Sequence, residues 1–134
     1  MRITGRGTPT DVTFESASDL SAESKQYTFV GFTAGGASGP QARIDAVTSG
    51  GNALILQNRP KQYKGGVVRL VGTSALRVDG SGTPIAVGTK LKPTTGGKGV
   101  AITAGDEYSA IALEASTADG DIIEVLVQRG LSHA

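Results

Sequence analysis

Val67-Val68-Arg69-Leu70-Val71-Gly72-Thr73-Ser74-Ala75-Leu76-Arg77-Val78-Asp79-Gly80 decides the fold class of this chain. Within Ala75–Asp79, Leu76 and Val78 point one way while Arg77 and Asp79 point the other, the period-2 alternation of a strand with one buried face. Val67–Gly72 is a β-branched run of the same kind. We read the two as separate strands, with Asp79-Gly80 as the following turn. Outward from this stretch the texture repeats. In Asp121–Val127, Ile123, Val125 and Val127 share a face, with Glu124 opposite, and Lys90-Leu91-Lys92 repeats the pattern on a smaller scale.

Further strands are predicted over Tyr27–Thr33, Ala42–Val47, Ala53–Asn58, Ile85–Lys92, Val100–Thr103 and Ser109–Ala115. Gly35–Pro40, Gly50-Gly51, Gly65-Gly66, Gly96-Gly97 and Asp119-Gly120 punctuate them. Such dipeptides accept the positive φ of tight turns. Only Asp19–Gln26 offers a helix, and it is too short to stand without packing. Many short strands at this spacing predict an all-β fold: a small antiparallel β-barrel or sandwich of hairpins, with little helix and an extended N-terminal arm. The arm is Met1–Ser18, polar and with only Ile3, Val12, Phe14 and Ala17 to bury. Residues 19–127 form the β-rich domain and residues 128–134 a tail. A weak internal echo relates Ala53–Asn58 plus Val67–Val71 to Ala110–Ala115 plus Ile122–Leu126, each reading as a hairpin whose second strand carries one central charge, Arg69 or Glu124.

Composition narrows the chemistry. Glycine is 20 of 134 residues, about 15% against a usual ~7%. Lys plus Arg is 13 and Asp plus Glu 12, a net charge of +1 without the basic surplus expected of a protein that neutralises nucleic-acid phosphate. There is no cysteine, hence no disulfide, thiolate or Cys-type zinc chemistry, and the sole histidine is His133. The first residues lack the apolar stretch of a secretory signal, and apolar runs stop at about four residues, far short of the ~20 that span a bilayer. We expect a protein made in a cytosol, with no cofactor, no metal, no membrane partner and no direct nucleic-acid partner.

Chemical motifs fail in turn. Gly96-Gly97-Lys98-Gly99 lacks the Ser or Thr after lysine, and the spacing, of a P-loop. Asp119-Gly120-Asp121 lacks the calcium-loop pattern. Asp106-Glu107 and Glu114 are the acids from which a carboxylate pair would have to be built, and they are expected to be solvated surface. Arg59-Pro60-Lys61-Gln62-Tyr63-Lys64 is the sharpest basic cluster, placed in a loop and suited to protein contact through Arg and Tyr. An extended segment such as Asp11–Ser16 could add to an exposed sheet edge, with Val12 and Phe14 setting register. Phe14 serves either as the anchor of that contact or as cover for the protein's own core. No enzyme is expected.

Residues 19–127 resemble the capsid cement (head decoration) proteins of tailed bacteriophages. The likeness is carried by Asp19-Leu20-Ser21-Ala22, Lys25–Val30, Leu56-Gln57-Asn58-Arg59-Pro60-Lys61, Val68–Ser74, Ala110–Ala115 and Ala118–Leu126. The resemblance implies a small β-rich protein on the outer surface of the virion's capsid, bridging neighbouring capsomers. Its partners would be the major capsid protein and two further copies of itself in a homotrimer. Met1–Ser18, Gln62-Tyr63-Lys64 and Gln128–Ala134 depart from the family pattern, and the family has no catalytic residues to carry over. The candidate interface residues are Ile3, Val12, Phe14, Arg59, Lys61 and Tyr63. The competing expectation is a small β-sandwich carbohydrate-binding or adhesion module; such modules present aromatic platforms, and this chain has three Phe, three Tyr and no Trp.

Overall fold

The computed structural model describes residues 10–35, 41–49 and 53–131. The chain is all-β: β1 (Thr10–Glu15), β2 (Phe29–Thr33), β3 (Arg43–Ala46), β4 (Leu54–Leu56), β5 (Gly65–Asp79), β6 (Lys90–Pro93), β7 (Gly99–Ala101), β8 (Glu107–Ala112) and β9 (Asp119–Leu131). The strands pair in the order β3-β2-β4-β5-β7-β6-β8-β9, with β1 added to β5 and β9 returning to β5. That return closes β5, β7, β6, β8 and β9 into a ring. On the N-terminal half of β5, strands β1, β5, β4, β2 and β3 curl into a second ring, whose ends meet at one parallel bridge, Ser16 to Ile44. The first ring also contains a single parallel contact, Val78 to Gly99. There the Arg77 N–H donates to the Tyr27 carbonyl at 2.7 Å and continues the edge.

β5 therefore runs through both rings as one 15-residue strand, where the sequence reading has two. Thr73 and Ser74, which separate the two readings, stay in the ladder opposite Leu126 and Val125. Their small side chains are buried, and the Ser74 hydroxyl accepts a hydrogen bond from Gln57 Nε2 at 2.9 Å. The strand changes direction at Gly72, whose φ of 103° is open to glycine and costly for any residue with a Cβ.

Two cores lie on the inward face of β5. Val68, with Leu70 at its margin, joins Leu20, Val30, Ile44, Leu54 and Leu56 in the smaller one. Leu76 and Val78 join Phe29, Ile55, Ile85, Leu91, Ala110, Ile123 and Val125 in the larger. β2 and β4 form a wall between them: Phe29 and Ile55 face one core, Val30, Leu54 and Leu56 the other. This is why Leu54-Ile55-Leu56 has no polar alternation; both faces of the strand are buried. The two echoed segments are antiparallel neighbours, β4 with β5 and β8 with β9.

Several expectations are corrected. The segment read as an arm supplies β1 at residues 10–15, paired with β5 of its own chain along Asp11–Arg69 to Glu15–Gly65. Gly65-Gly66 is the start of β5 and no turn, because a Cβ on Gly66 would collide with the Ile44 δ1 methyl and come within 3.3 Å of Pro60; here glycine serves close packing. Asp119-Gly120 opens β9, although Gly120 does take the positive φ expected of it, 88°. Ile85–Lys92 is not one strand: the Thr89 hydroxyl accepts the Ala86 N–H at 3.1 Å and Gly88 takes a φ of 89°, so the chain turns before β6. The helix expected over Asp19–Gln26 shrinks to a 3-10 turn at Glu23–Lys25. β9 continues past Val127 to Leu131. Gly50-Gly51 and residues 36–40 of the Gly35–Pro40 loop lie outside the described residues.

Gly72→Ala should destabilise the fold by about 1–3 kcal/mol, read from the midpoint of urea unfolding. Gly82→Ala, where nothing lies within 4 Å and φ is ordinary, should change it by no more than about 0.5 kcal/mol.

Candidate docking surface

Val12 and Phe14 are held half-buried on β1, and Phe14 packs against the smaller core. Val12 stands opposite Val68, and Phe14 opposite Gly66. Phe14 meets Phe32 edge-on, ring centroids 5.0 Å apart at 78°. The edge addition expected of Asp11–Ser16 thus takes place inside the chain, and Phe14 covers the protein's own core. A bidentate Arg69–Asp11 ion pair, 2.6 and 3.1 Å, clamps the outer face of the same ladder.

Arg59, Lys61 and Tyr63 lie in the β4–β5 loop, at the same end of the molecule as Ser16. The loop is fastened at nearly every residue from Arg59 to Lys64, by backbone or side-chain hydrogen bonds. Arg59 Nε donates to the Ser21 carbonyl at 2.8 Å and the Pro60 carbonyl accepts the Leu20 N–H at 2.9 Å. Gln62 Nε2 donates to the Ala17 carbonyl at 3.1 Å. The Tyr63 N–H donates to the Ser16 carbonyl at 2.8 Å, while the Ser16 N–H donates to the Lys64 carbonyl at 2.9 Å. These bonds hold Tyr63 at a φ of 65°, a left-handed conformation that costs a tyrosine about 1–2 kcal/mol. The Tyr63 ring is 60% exposed, and Lys61 and Lys64 project beside it. Beneath them the hydroxyl and N–H of Ser21 hold the Asp19 carboxyl below its ordinary range, with Lys61 and Lys25 adding to the effect. The result is a hydrogen-bonded platform carrying one exposed aromatic ring and the exposed cations Lys61 and Lys64. Ile3 lies outside the described residues.

The acids do not assemble into a reacting pair. Asp106 and Glu107 border an open depression of about 430 Å³ with Lys92, Pro93 and Thr94. Asp106 is occupied: Lys92 Nζ lies 2.7 Å from it, and the Thr103 N–H and hydroxyl both donate to it at 2.9 Å. Those contacts, the Lys92 bond foremost, bring its pKa from the usual 3.8 to about 2, leaving no proton to give at neutral pH and little basicity. Glu114 is elsewhere, accepting the Glu124 N–H at 2.8 Å. Among the described residues no group of three or more His, Asp or Glu side chains could hold a metal ion, and no helix is long and apolar enough to cross a membrane.

Sequence reasoning missed Phe32 and the two residues that flank its neighbourhood, Glu15 and Arg43. Phe32 alternates with Val30 and so reads as core, yet it is 55% exposed.

No protein-family model and no curated protein matches the sequence. A solved structure described as the head fiber gp8.5 N base of bacteriophage phi29 superposes with a TM-score of 0.64 over 90% of this chain and 95% of that one. The two are 13% identical, a likeness of fold.

Because the folded-state pKa of Asp106 is depressed, its carboxylate stabilises the fold above pH ~4, and that contribution is lost as the pH falls to about 2. Asp106→Asn should unfold more readily than the parent at pH 6, and the two unfolding midpoints should converge as the pH is lowered through this window.

Proposed function

We propose that this chain is a non-enzymatic structural protein of a tailed-phage head: a decoration (cement) protein that attaches as a homotrimer to the outer capsid surface. There it would bind the major capsid protein and bridge neighbouring capsomers, after synthesis in the host cytoplasm. The observation that carries the reading is the shared fold with a phage head-fiber base, matched over nearly the whole of both chains. The family resemblance of residues 19–127 points to the same class of particle.

The geometry suits attachment without chemistry. A loop already fixed by its backbone hydrogen bonds loses little conformational entropy on docking. Tyr63 offers a large amphipathic surface at the point where contact is made, the kind of residue on which binding energy concentrates. Lys61 and Lys64 favour approach to an acidic patch and set orientation. Neither nucleic acid nor membrane has a part in this reading. The head-fiber neighbour favours one variant of it, in which the domain is the foot of an appendage; electron microscopy of decorated particles separates a flush cap from a projecting fibre.

Purified protein mixed with expanded and unexpanded phage shells should sediment with the expanded ones; failure to bind either would defeat the proposal. Tyr63→Ala keeps a Cβ in the same left-handed conformation and breaks no packed contact of the core, so its unfolding midpoint should stay close to the parent's. Its affinity for shells should fall at least tenfold, corresponding to about 1.4 kcal/mol or more.

A further inference from the structure

The outer face of the ring formed by β5, β7, β6, β8 and β9 lacks the polar exterior usual for a sheet with one buried side. Along β9, Ile123, Val125 and Val127 point into the core, so Ile122, Glu124 and Leu126 stand on the outside. On β8, Ile111 lies between the core residues Ala110 and Ala112 and likewise faces out. Leu113 follows it, its N–H donating to the Glu124 carbonyl at 2.9 Å. Leu113 and Ile122 are 36% and 48% exposed, with Ile111 and Leu126 half-buried beside them. Lys90 of β6 stands opposite Ile111, and Ile111 opposite Leu126.

Glu124 sits within this apolar face and is only 6% exposed. Its Oε1 is shielded from solvent and has no hydrogen-bond partner among the described residues. The nearest polar neighbours supply none. Glu114 brings a further acceptor, its Oε1 taking the Glu124 N–H at 2.8 Å. Arg77, opposite Ile122 on β5, is engaged by the carbonyls of Gln26 and Glu23 at 3.0 and 3.1 Å. A carboxylate shut away from water without a donor is costly. Lys90 is its complement. It is exposed, its Nζ rests 4.9 Å from the centroid of the Tyr108 ring, and among the described residues it has no acidic partner.

We propose that this face is the contact between copies of the chain, with Lys90 of one copy donating to Glu124 of the next. Two strand spacings, roughly 10 Å, separate β6 from β9. The side chains of β8 stand between, so the pair closes between copies and not within one. A second copy suits the face because the face carries both halves of the missing ion pair together with the apolar area to enclose it. Leu113 and Ile122 then exclude water from the pair, which strengthens it. Donor and acceptor occupy opposite flanks, so the contact is heterologous, the kind that closes into a ring when the rotation between copies allows. The Tyr63 loop lies at the start of β5, beside the other ring, and this contact leaves it free. The inference rests on the self-association in the proposed function and deepens it by naming the surface.

The test is sedimentation equilibrium of the isolated full chain and its variants. The parent should be oligomeric. Lys90→Glu and Leu113→Ser, both at exposed positions, should keep the parent's circular dichroism and each weaken self-association at least tenfold. Lys90→Glu combined with Glu124→Lys should regain most of the loss; a folded double variant as weak as Lys90→Glu alone overturns the proposal. If the double variant does not fold, the two single variants decide: weakening by both supports the assignment, and no change in either overturns it. A monomeric parent defeats self-association altogether. An oligomeric parent indifferent to Lys90→Glu defeats only the surface assigned here, and shell attachment is judged by its own assay.

Discussion

The wall of β2 and β4 is the constraint on which the rest of the structure depends. Phe29, Val30, Leu54, Ile55 and Leu56 are each no more than 3% exposed, and they face two different cores. Neither ring can bury its apolar residues unless the other is present to cover the reverse side of the wall. β5 enforces the same dependence along its length, since its inward side chains serve first one core and then the other. A chain this rich in glycine has a large ordering entropy to overcome, and the shared wall lets each of a few aliphatic strands be fully desolvated. Two small rings so coupled unfold as a unit.

How much of this was legible in the sequence follows from the range of the forces involved. Alternation in Ala75–Asp79 and Asp121–Val127 is local, and both segments are strands with the expected residues inward. The continuity of β5 was not legible, because Thr73-Ser74 is a poor strand pair by itself and stays in the ladder only through β9. Gly65-Gly66 misled for a related reason. A pair of glycines signals either positive φ or close approach, and the neighbour that makes it close approach, Ile44, is distant in sequence. Gly66, which stands opposite Phe14 in the β1–β5 ladder, leaves room for Ile44, Ser16 and Pro60, contacts that are equally non-local.

The docking surface was half legible. Arg59–Lys64 reads as a basic loop with one aromatic and is one. That its tyrosine is held in a left-handed conformation depends on hydrogen bonds donated by Tyr63 and Gln62 to the carbonyls of Ser16 and Ala17, which no local pattern announces. Residues 13–15 and 41–43, which line a shared depression, are brought together only when the ring curls. Asp106 and Glu107 show the converse: adjacent in sequence and sharing a depression, they are chemically unlike, since one carboxylate is absorbed by Lys92 and Thr103. Adjacency alone carries no reactivity.

The register of the first and last strands has a mechanical consequence. Thr10 stands opposite Val71, and Val127 opposite Gly72, so β1 begins and β9 nears its end at the waist of β5, on either side of its bend. A tug on the two ends of the described chain would converge on that waist. From there β1 would peel toward one tip of β5 and β9 toward the other, one hydrogen-bonded pair at a time.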